Sequence, residues 1–190
     1  MKNFFSKLGY DIIPVMLGIL IALFINDYAH EKREKNYVKS ALQTMLLEHQ
    51  QNRVEIGQLL PKHKIVIDTF KHYAKDENLR VATILGKLDG GIPGASISNS
   101  GWKALASANL HTSVDFETLS ILSDIDVEIK SLYNKYHNLE QVLYPAIGAS
   151  SVEAKYAILV VVSDMIHSQE RLLEDIEKFE LHIKSKYPEL

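Results

Sequence analysis

A chain of 190 residues holds about one domain, and with 46% of its residues hydrophobic and 24% charged it is too apolar to remain disordered. Lys and Arg number 21 against 24 Asp and Glu, a net charge of −3, which is not the one-signed field that draws nucleic acid. Cysteine is absent, which excludes disulfide scaffolds, thiolate metal sites, iron–sulfur clusters and cysteine nucleophiles.

Residues 1–9 form a short basic tail carrying Lys2 and Lys7. From Ile12 to Ile25 runs IIPVMLGILIALFI, without a polar side chain, and extension through Tyr10 and Tyr28 gives 19 residues with a tyrosine at each end. That is close to the roughly 20 residues that span a hydrocarbon core, with interfacial aromatics in place. Residues 10–29 are therefore predicted to form a transmembrane anchor in the bilayer; the alternative is a helix buried in a soluble core. The exit, FINDYAHEKREK, lacks a small-x-small cleavage site, so the segment reads as an uncleaved signal anchor. Gly18 and Ala22 make the small-x-x-x-small spacing that lets membrane helices approach closely, and are the expected contact of a weak homodimer. Lys32, Arg33, Lys35 and Lys39 place the larger basic count after the span, whereas the short basic start is how an N-in anchor begins. The second consideration puts the bundle domain outside the cytoplasm in a single-pass protein of the inner membrane.

Residues 30–190 read as a helical bundle domain, with apolar spacings of three and four rather than two. The first helix continues out of the span with a stripe of Val38, Leu42, Met45, His49, Asn52, Ile56 and Leu59, and is expected to end near Pro61. A second starts at Pro61 and carries Val66, Phe70 and Tyr73. The glycine-rich stretch at 89–98 is a loop; no strand precedes it and no Lys-Ser/Thr pair follows, so it is no phosphate cradle. Asn99 or Ser100 is placed to cap a short helix holding Trp102, the only tryptophan. A third long helix starts after Thr112, with Asp115 three residues on, and carries Leu122, Ile125, Ile129, Leu132, Tyr136, Leu139 and Leu143 until Tyr144-Pro145 and Gly148 end it. A fourth starts at Ser150, with Glu153 three residues on, and runs to Lys186 on a seam of Ile158, Val161, Met165, Gln169, Leu172, Ile176, Phe179 and Ile183. The fold class is all-α: an N-terminal transmembrane helix, then an antiparallel bundle of three to four long helices with a short Trp-containing helix.

Carboxylate-bridged dimetal bundles need Glu-x-x-His on two helices. The nearest match is the single Asp164-x-x-His167, while His137-x-x-Glu140 and His167-x-x-Glu170 run in reverse, so no metal site, cofactor or catalytic residue is expected. The chain has no Gly-x-Ser-x-Gly turn to present a nucleophile. More informative are His49 and Asn52, which interrupt the apolar stripe of the first helix, with Glu48 adjacent. Buried polar groups need partners. They are either a satisfied network that fixes the register of this helix against the Trp102 segment, or a stripe that simply lets His49 reach solvent, or, with Glu48, the polar floor of a ligand pocket beside Trp102.

The basic start MKNFFSKL, the span LGILIALFIND, the charged exit HEKREK, the Glu48/Asn52 pair and the segment SNSGWKALASANL together resemble a family of single-span membrane proteins known mostly from Bacteroidota. The likeness covers about residues 1–60 and 95–125. Many members carry a tryptophan just after the Asn of the exit, where this chain has Asp27-Tyr28. The family has no established activity, so the resemblance implies membrane anchoring and a helical architecture and transfers no catalytic residue. The expected function is that of a membrane-anchored interaction module without catalysis, a scaffold, sensor or accessory subunit whose partners are the bilayer and a protein. The alternative is a small-ligand receptor or enzyme with a pocket between Trp102 and the Glu48/His49/Asn52 stripe.

Overall fold

The computed structural model describes residues 2–188 and Leu190, with the backbone alone for residues 2–13 and Thr112. The elements are α1 (Lys2–Tyr73), α2 (Val81–Leu85), α3 (Ser100–Ser107), a 3-10 turn (Leu110–Ser113), α4 (Phe116–Ala146) and α5 (Val152–Lys186). The described residues contain helices and no strand, so the all-α class holds. The chain divides into two units, one up to Ser40 and one from Ala41 to Leu190.

The first unit is helix alone. Its side chains from Val15 to Ile25 are exposed on every face, and Gly18 has no atom within 4 Å of where a Cβ would stand. Beyond them the surface is laced with i,i+4 pairs, Lys35 to Glu31 at 2.6 Å and His30 to Glu34 at 3.3 Å, each a small contribution because both partners face solvent. Among the described residues no helix is long and apolar enough to cross a membrane. The side chains of positions 10–13, where the expected anchor 10–29 begins, lie outside the described residues, as do those of Lys2 and Lys7.

The second unit is built on three long helices: α1 from Ala41 onward, α4 and α5. Helices α1 and α5 run in opposite directions: His49 and Arg53 meet Phe179 and Glu180, whereas Lys64, further along α1, meets the earlier Glu170. The same holds between α4 and α5, where Thr118 meets His182 and Glu128 meets Arg171. Helix α5 is therefore antiparallel to both, and α1 and α4 run the same way. The predicted stripes are the buried faces. The six stripe residues of α1 from Leu42 to Leu59 are buried, as are Leu122, Ile125, Ile129, Leu132 and Leu139 of α4 and every seam residue of α5 except the half-buried Val161.

The expected helix boundary at Pro61 does not exist; α1 runs through it to Tyr73, and the predicted second helix is its last part. A proline inside a helix frees the carbonyl four residues back and crowds it. Here that residue is Gly57, which has nothing within 4 Å of a Cβ position, and both Pro61 and Gly57 face solvent, so water can take the freed carbonyl. Burial of Ile56, Leu59, Val66 and Phe70 on the opposite face holds the helix together across the defect.

Two helix starts also differ from expectation. Helix α4 is capped by Asp115 itself, which accepts from Thr118 N at 3.0 Å, and the residues from Leu110 to Ser113 form the 3-10 turn. Helix α5 is capped by Ser151 rather than Ser150, which leaves Glu153 in the first turn instead of at the reciprocal position of a capping box. Asp115 additionally takes Thr118 Oγ1–H at 2.6 Å, Tyr187 Oη–H at 2.8 Å and the Lys186 ammonium at 2.6 Å, so one carboxylate ties the start of α4 to the end of α5. Partial burial alone would raise its pKa; the bonds from Lys186 and Thr118 outweigh that and hold it well below the ordinary carboxylate range. At the other end the first N–H groups of α2 are satisfied by Ala149 O and Ile147 O of the α4–α5 turn, and the buried Lys155 donates to Asp76 O at 2.5 Å.

Candidate functional site

Because α1 and α4 run the same way, the chain between them has to travel back along the bundle. It does so as an extended strap, residues 92–99, lying between α1 and α4. From His63 to Glu48 is fifteen residues of helix, a rise of about 22 Å, and from Pro93 to Ser100 is seven extended residues, about 23 Å. The two lengths match, so about two helix residues pass for each residue of the strap.

An extended segment with no sheet beside it has unsatisfied main-chain groups. Here side chains of the flanking helices take them one after another. His63 Nε2 lies 2.8 Å from Pro93 O, and Nδ1 lies 3.1 Å from Gln169 Oε1 on the far side of the ring. Ser96 N donates to Glu55 at 3.3 Å. The Tyr133 hydroxyl accepts from Ile97 N at 3.2 Å and donates to Ile97 O at 2.7 Å. Asn52 closes a two-pronged clamp on Ser98, accepting from its N–H at 2.9 Å and donating to its carbonyl at 2.7 Å.

The strap ends at the N-terminus of α3, where Glu48 does the capping. Its carboxylate accepts from Ser98 Oγ at 2.8 Å, Ser100 N at 3.1 Å, Gly101 N at 2.9 Å and the Ser100 hydroxyl. A negative charge at this end also meets the positive pole of the helix. Burial alone would raise the Glu48 pKa, but the bonds from Ser100, Gly101 and Ser98 prevail and keep it below its ordinary value. Asn99, expected as a cap, makes no side-chain cap bond; its Nδ2 donates to Asp126 at 2.9 Å instead. Gly101 then presses on α1: a Cβ there would lie 2.6 Å from Met45 Cγ, 3.2 Å from Met45 N and 3.3 Å from Ala41 O. Any side chain at 101 would push α3 off the main chain of α1.

Of the four residues singled out from the sequence, the structure thus brings Glu48 and Asn52 together on the SNSG segment. Trp102 is half-buried on α3 directly after that segment. His49 points elsewhere: it is fully buried, packs edge-on against Phe179 with ring centroids 5.2 Å apart, and neither ring nitrogen has a hydrogen-bond partner. Burial drives its pKa down to about 4, against a smaller opposing pull from Glu48. The other strap readers, His63, Glu55, Tyr133 and Asp126, were not singled out from the sequence. His63 alone left a signal there, a polar residue four after Leu59 and three before Val66 on the same buried stripe.

Other candidate chemistry is weaker. Asp115, Glu117 and His182 offer ligand atoms within 4.8 Å of one another. The Lys186 ammonium already supplies the positive charge there, and both Asp115 oxygens are engaged, so the arrangement works as a helix cap. A cleft of about 560 Å³ is lined by Lys135, Asp164, His167, Glu170, Arg171 and Glu174, a mixed-charge set in which three carboxylates face Lys135 and Arg171. A smaller one of about 370 Å³ opens beside Gly91–Gly94, Tyr136 and Leu143.

No family model, curated protein or solved structure matches the chain.

Proposed function

We propose that the protein is a membrane-anchored helical interaction module: α1 crosses the inner membrane once through residues 10–29, and the bundle from Ala41 onward engages a protein partner on the extracytoplasmic side. The observation that supports this is the apolar helix of the first unit. Among its described residues, Val15, Met16, Leu17, Ile19, Leu20, Ile21, Leu23, Phe24 and Ile25 are each at least 51% exposed. Leaving such a side chain in water forgoes roughly 1.5–3 kcal/mol, so nine of them together rival the whole stability of a typical domain, about 5–15 kcal/mol. A helix apolar all round belongs in lipid or in a protein core, and the basic start supports lipid. The principal polar side chains on the inner face of α1 bind the strap and α3, which favours presentation of a surface over catalysis.

In native membranes the full-length protein is expected to stay in the pellet through a carbonate wash, and protease added to spheroplasts is expected to remove the bundle. Release into the wash supernatant sinks the anchor; a protected bundle reverses the orientation. The Gly18–Ala22 face is where a second copy fits closest, since glycine lets backbones approach. Crosslinking in the same membranes is expected to give a minor dimer that Gly18→Leu removes. An equal yield from both proteins means that this face touches lipid alone.

A further inference from the structure

We propose that the cleft between α1 and α4 is a peptide-binding groove that the strap occupies in cis, and that its exchange partner is an extended segment of another protein with a small–Ile/Val–Ser sequence. The proposal rests on the reading of the bundle as an interaction module and names what it would bind.

Four observations carry it. First, the groove recognises main chain: Pro93 O, Ser96 N, both groups of Ile97 and both groups of Ser98 are held by side chains of α1 and α4. Among the described residues, no main-chain-to-main-chain bond involves residues 92–98. Recognition of this kind tolerates any residue that keeps its N–H, as in strand addition to a sheet edge. Secondly, the side chains alternate as in a bound peptide. Ile97 and Asn99 are buried, Ser96 between Ala95 and Ile97 is exposed, and Ile97, 8% exposed, is the large apolar side chain of the strap that is buried. Thirdly, the strap is only partly covered, with Gly94 and Ser96 open to solvent and Ile92, Pro93, Ala95 and Ser98 half-buried. Fourthly, a hinge precedes it: Gly90 and Gly91 stand at φ 79° and 75°, a left-handed region that glycine enters without strain.

The chemistry of the occupant follows from the contacts. It is extended, presents N–H groups at the positions of Ser96, Ile97 and Ser98, which bars proline there, and carries a β-branched apolar residue at the position of Ile97. It competes with a tethered copy of itself. For an occupant identical to the strap, groove contacts cancel between the cis and trans forms, and the apparent dissociation constant equals the effective concentration of the strap, of millimolar order for a short tether. Weakening the strap frees the groove and tightens apparent binding in proportion.

The test is fluorescence anisotropy with a labelled, end-blocked peptide GIPGASISNSG titrated into full-length protein in mild detergent. Wild type is expected to bind near the millimolar range, and Ile97→Ala at least about tenfold tighter, since truncating a buried isoleucine opens the strap by that factor or more. A peptide N-methylated at the serine matching Ser98, which cannot donate to Asn52, is expected to lose binding to both. No saturable binding to a natively folded Ile97→Ala protein, or equal binding of the N-methylated peptide, overturns the proposal. Should Ile97→Ala not fold, hydrogen exchange in the wild type decides. The amides of Ile97 and Ser98 are expected to exchange at least about tenfold faster than those of Ile125 and Phe179 by local opening, and equal rates overturn the proposal. None of these readouts depends on whether residues 10–29 cross a bilayer.

Discussion

Glu48→Ala is expected to destabilise the bundle by about 2–4 kcal/mol, through a buried main-chain donor left without its acceptor and the loss of charge-assisted bonds. The carboxylate receives four donors, two main-chain N–H groups and two hydroxyls, from Ser98, Ser100 and Gly101. The hydroxyls can rotate to other acceptors, but Gly101 N is buried and fixed by the contact of Gly101 with Met45. An orphaned donor of that kind forfeits roughly 1–3 kcal/mol, and loss of the charge-assisted bonds adds to it. Glu48→Gln keeps one acceptor oxygen but turns an amide NH2 toward donors, so it should fall between wild type and Glu48→Ala. Denaturant unfolding of the full-length protein in mild detergent, followed by Trp102 emission and by far-ultraviolet circular dichroism, measures both. Trp102 sits one residue beyond the cap, so in Glu48→Ala its emission should shift before the helical signal falls. A Glu48→Ala protein within about 1 kcal/mol of wild type would refute the capping role.

The bundle's helices are legible in the sequence because their signal is local: a stripe at three- and four-residue steps needs no knowledge of what it packs against. Pro61 shows the limit of that logic. A proline reads as a stop, yet whether it stops a helix depends on residue 57 and on which face meets water. The caps were missed by small margins for a related reason. Ser150 and Ser151 both suit the cap by type, and which one serves depends on where the α4–α5 turn delivers the chain. His49 and Asn52 were visible as polar members of a buried face, with Glu48 adjacent; of the network expected there, Asn52 and Glu48 make the hydrogen bonds to the strap and α3, whereas His49 has no partner. Tyr133, Glu55 and Asp126 were not visible at all. Tyr133 and Glu55 read main-chain atoms of a segment some 36 to 41 residues away, and recognition of a backbone leaves no pattern in the sequence of the segment recognised; Asp126 takes the side-chain amide of Asn99, 27 residues away.

The strap also explains why a three-helix bundle with parallel α1 and α4 needs so many buried polar groups. A returning helix would have satisfied its own main chain, whereas an extended return cannot. Asn52 and Tyr133 each serve a donor and an acceptor on the same residue, which halves the number of side chains required. Each of these groups is tied to one register of the strap, because a shift by one residue would put Ile97 outward and leave Asn52 facing the wrong peptide. The glycine contact at 101 fixes the same register by sterics.

His49 stands apart from that network, and its expected behaviour is the acid sensitivity of the fold. The ring is fully buried with neither nitrogen partnered, and burial lowers its pKa from 6.5 to about 4. Between those values the unfolded chain binds a proton that the folded chain refuses, so folding stability falls as pH falls from about 6.5 to 4. At 1.36 kcal/mol per pKa unit the loss approaches about 3 kcal/mol at pH 4. The depressed pKa of Glu48 works in the same direction, its contribution being lost as pH falls through its folded-state value. His49→Leu separates the two, since leucine has similar volume and no titration. At pH 7 this variant is expected to be at least as stable as wild type, because a neutral imidazole without partners is itself a desolvation penalty of about 1–3 kcal/mol. At pH 4 its advantage should widen by about 3 kcal/mol, leaving only the shallower carboxylate-driven decline. Unfolding free energies of both proteins at pH 7, 5.5 and 4 decide the matter: parallel curves would mean that His49 is not the group that refuses the proton.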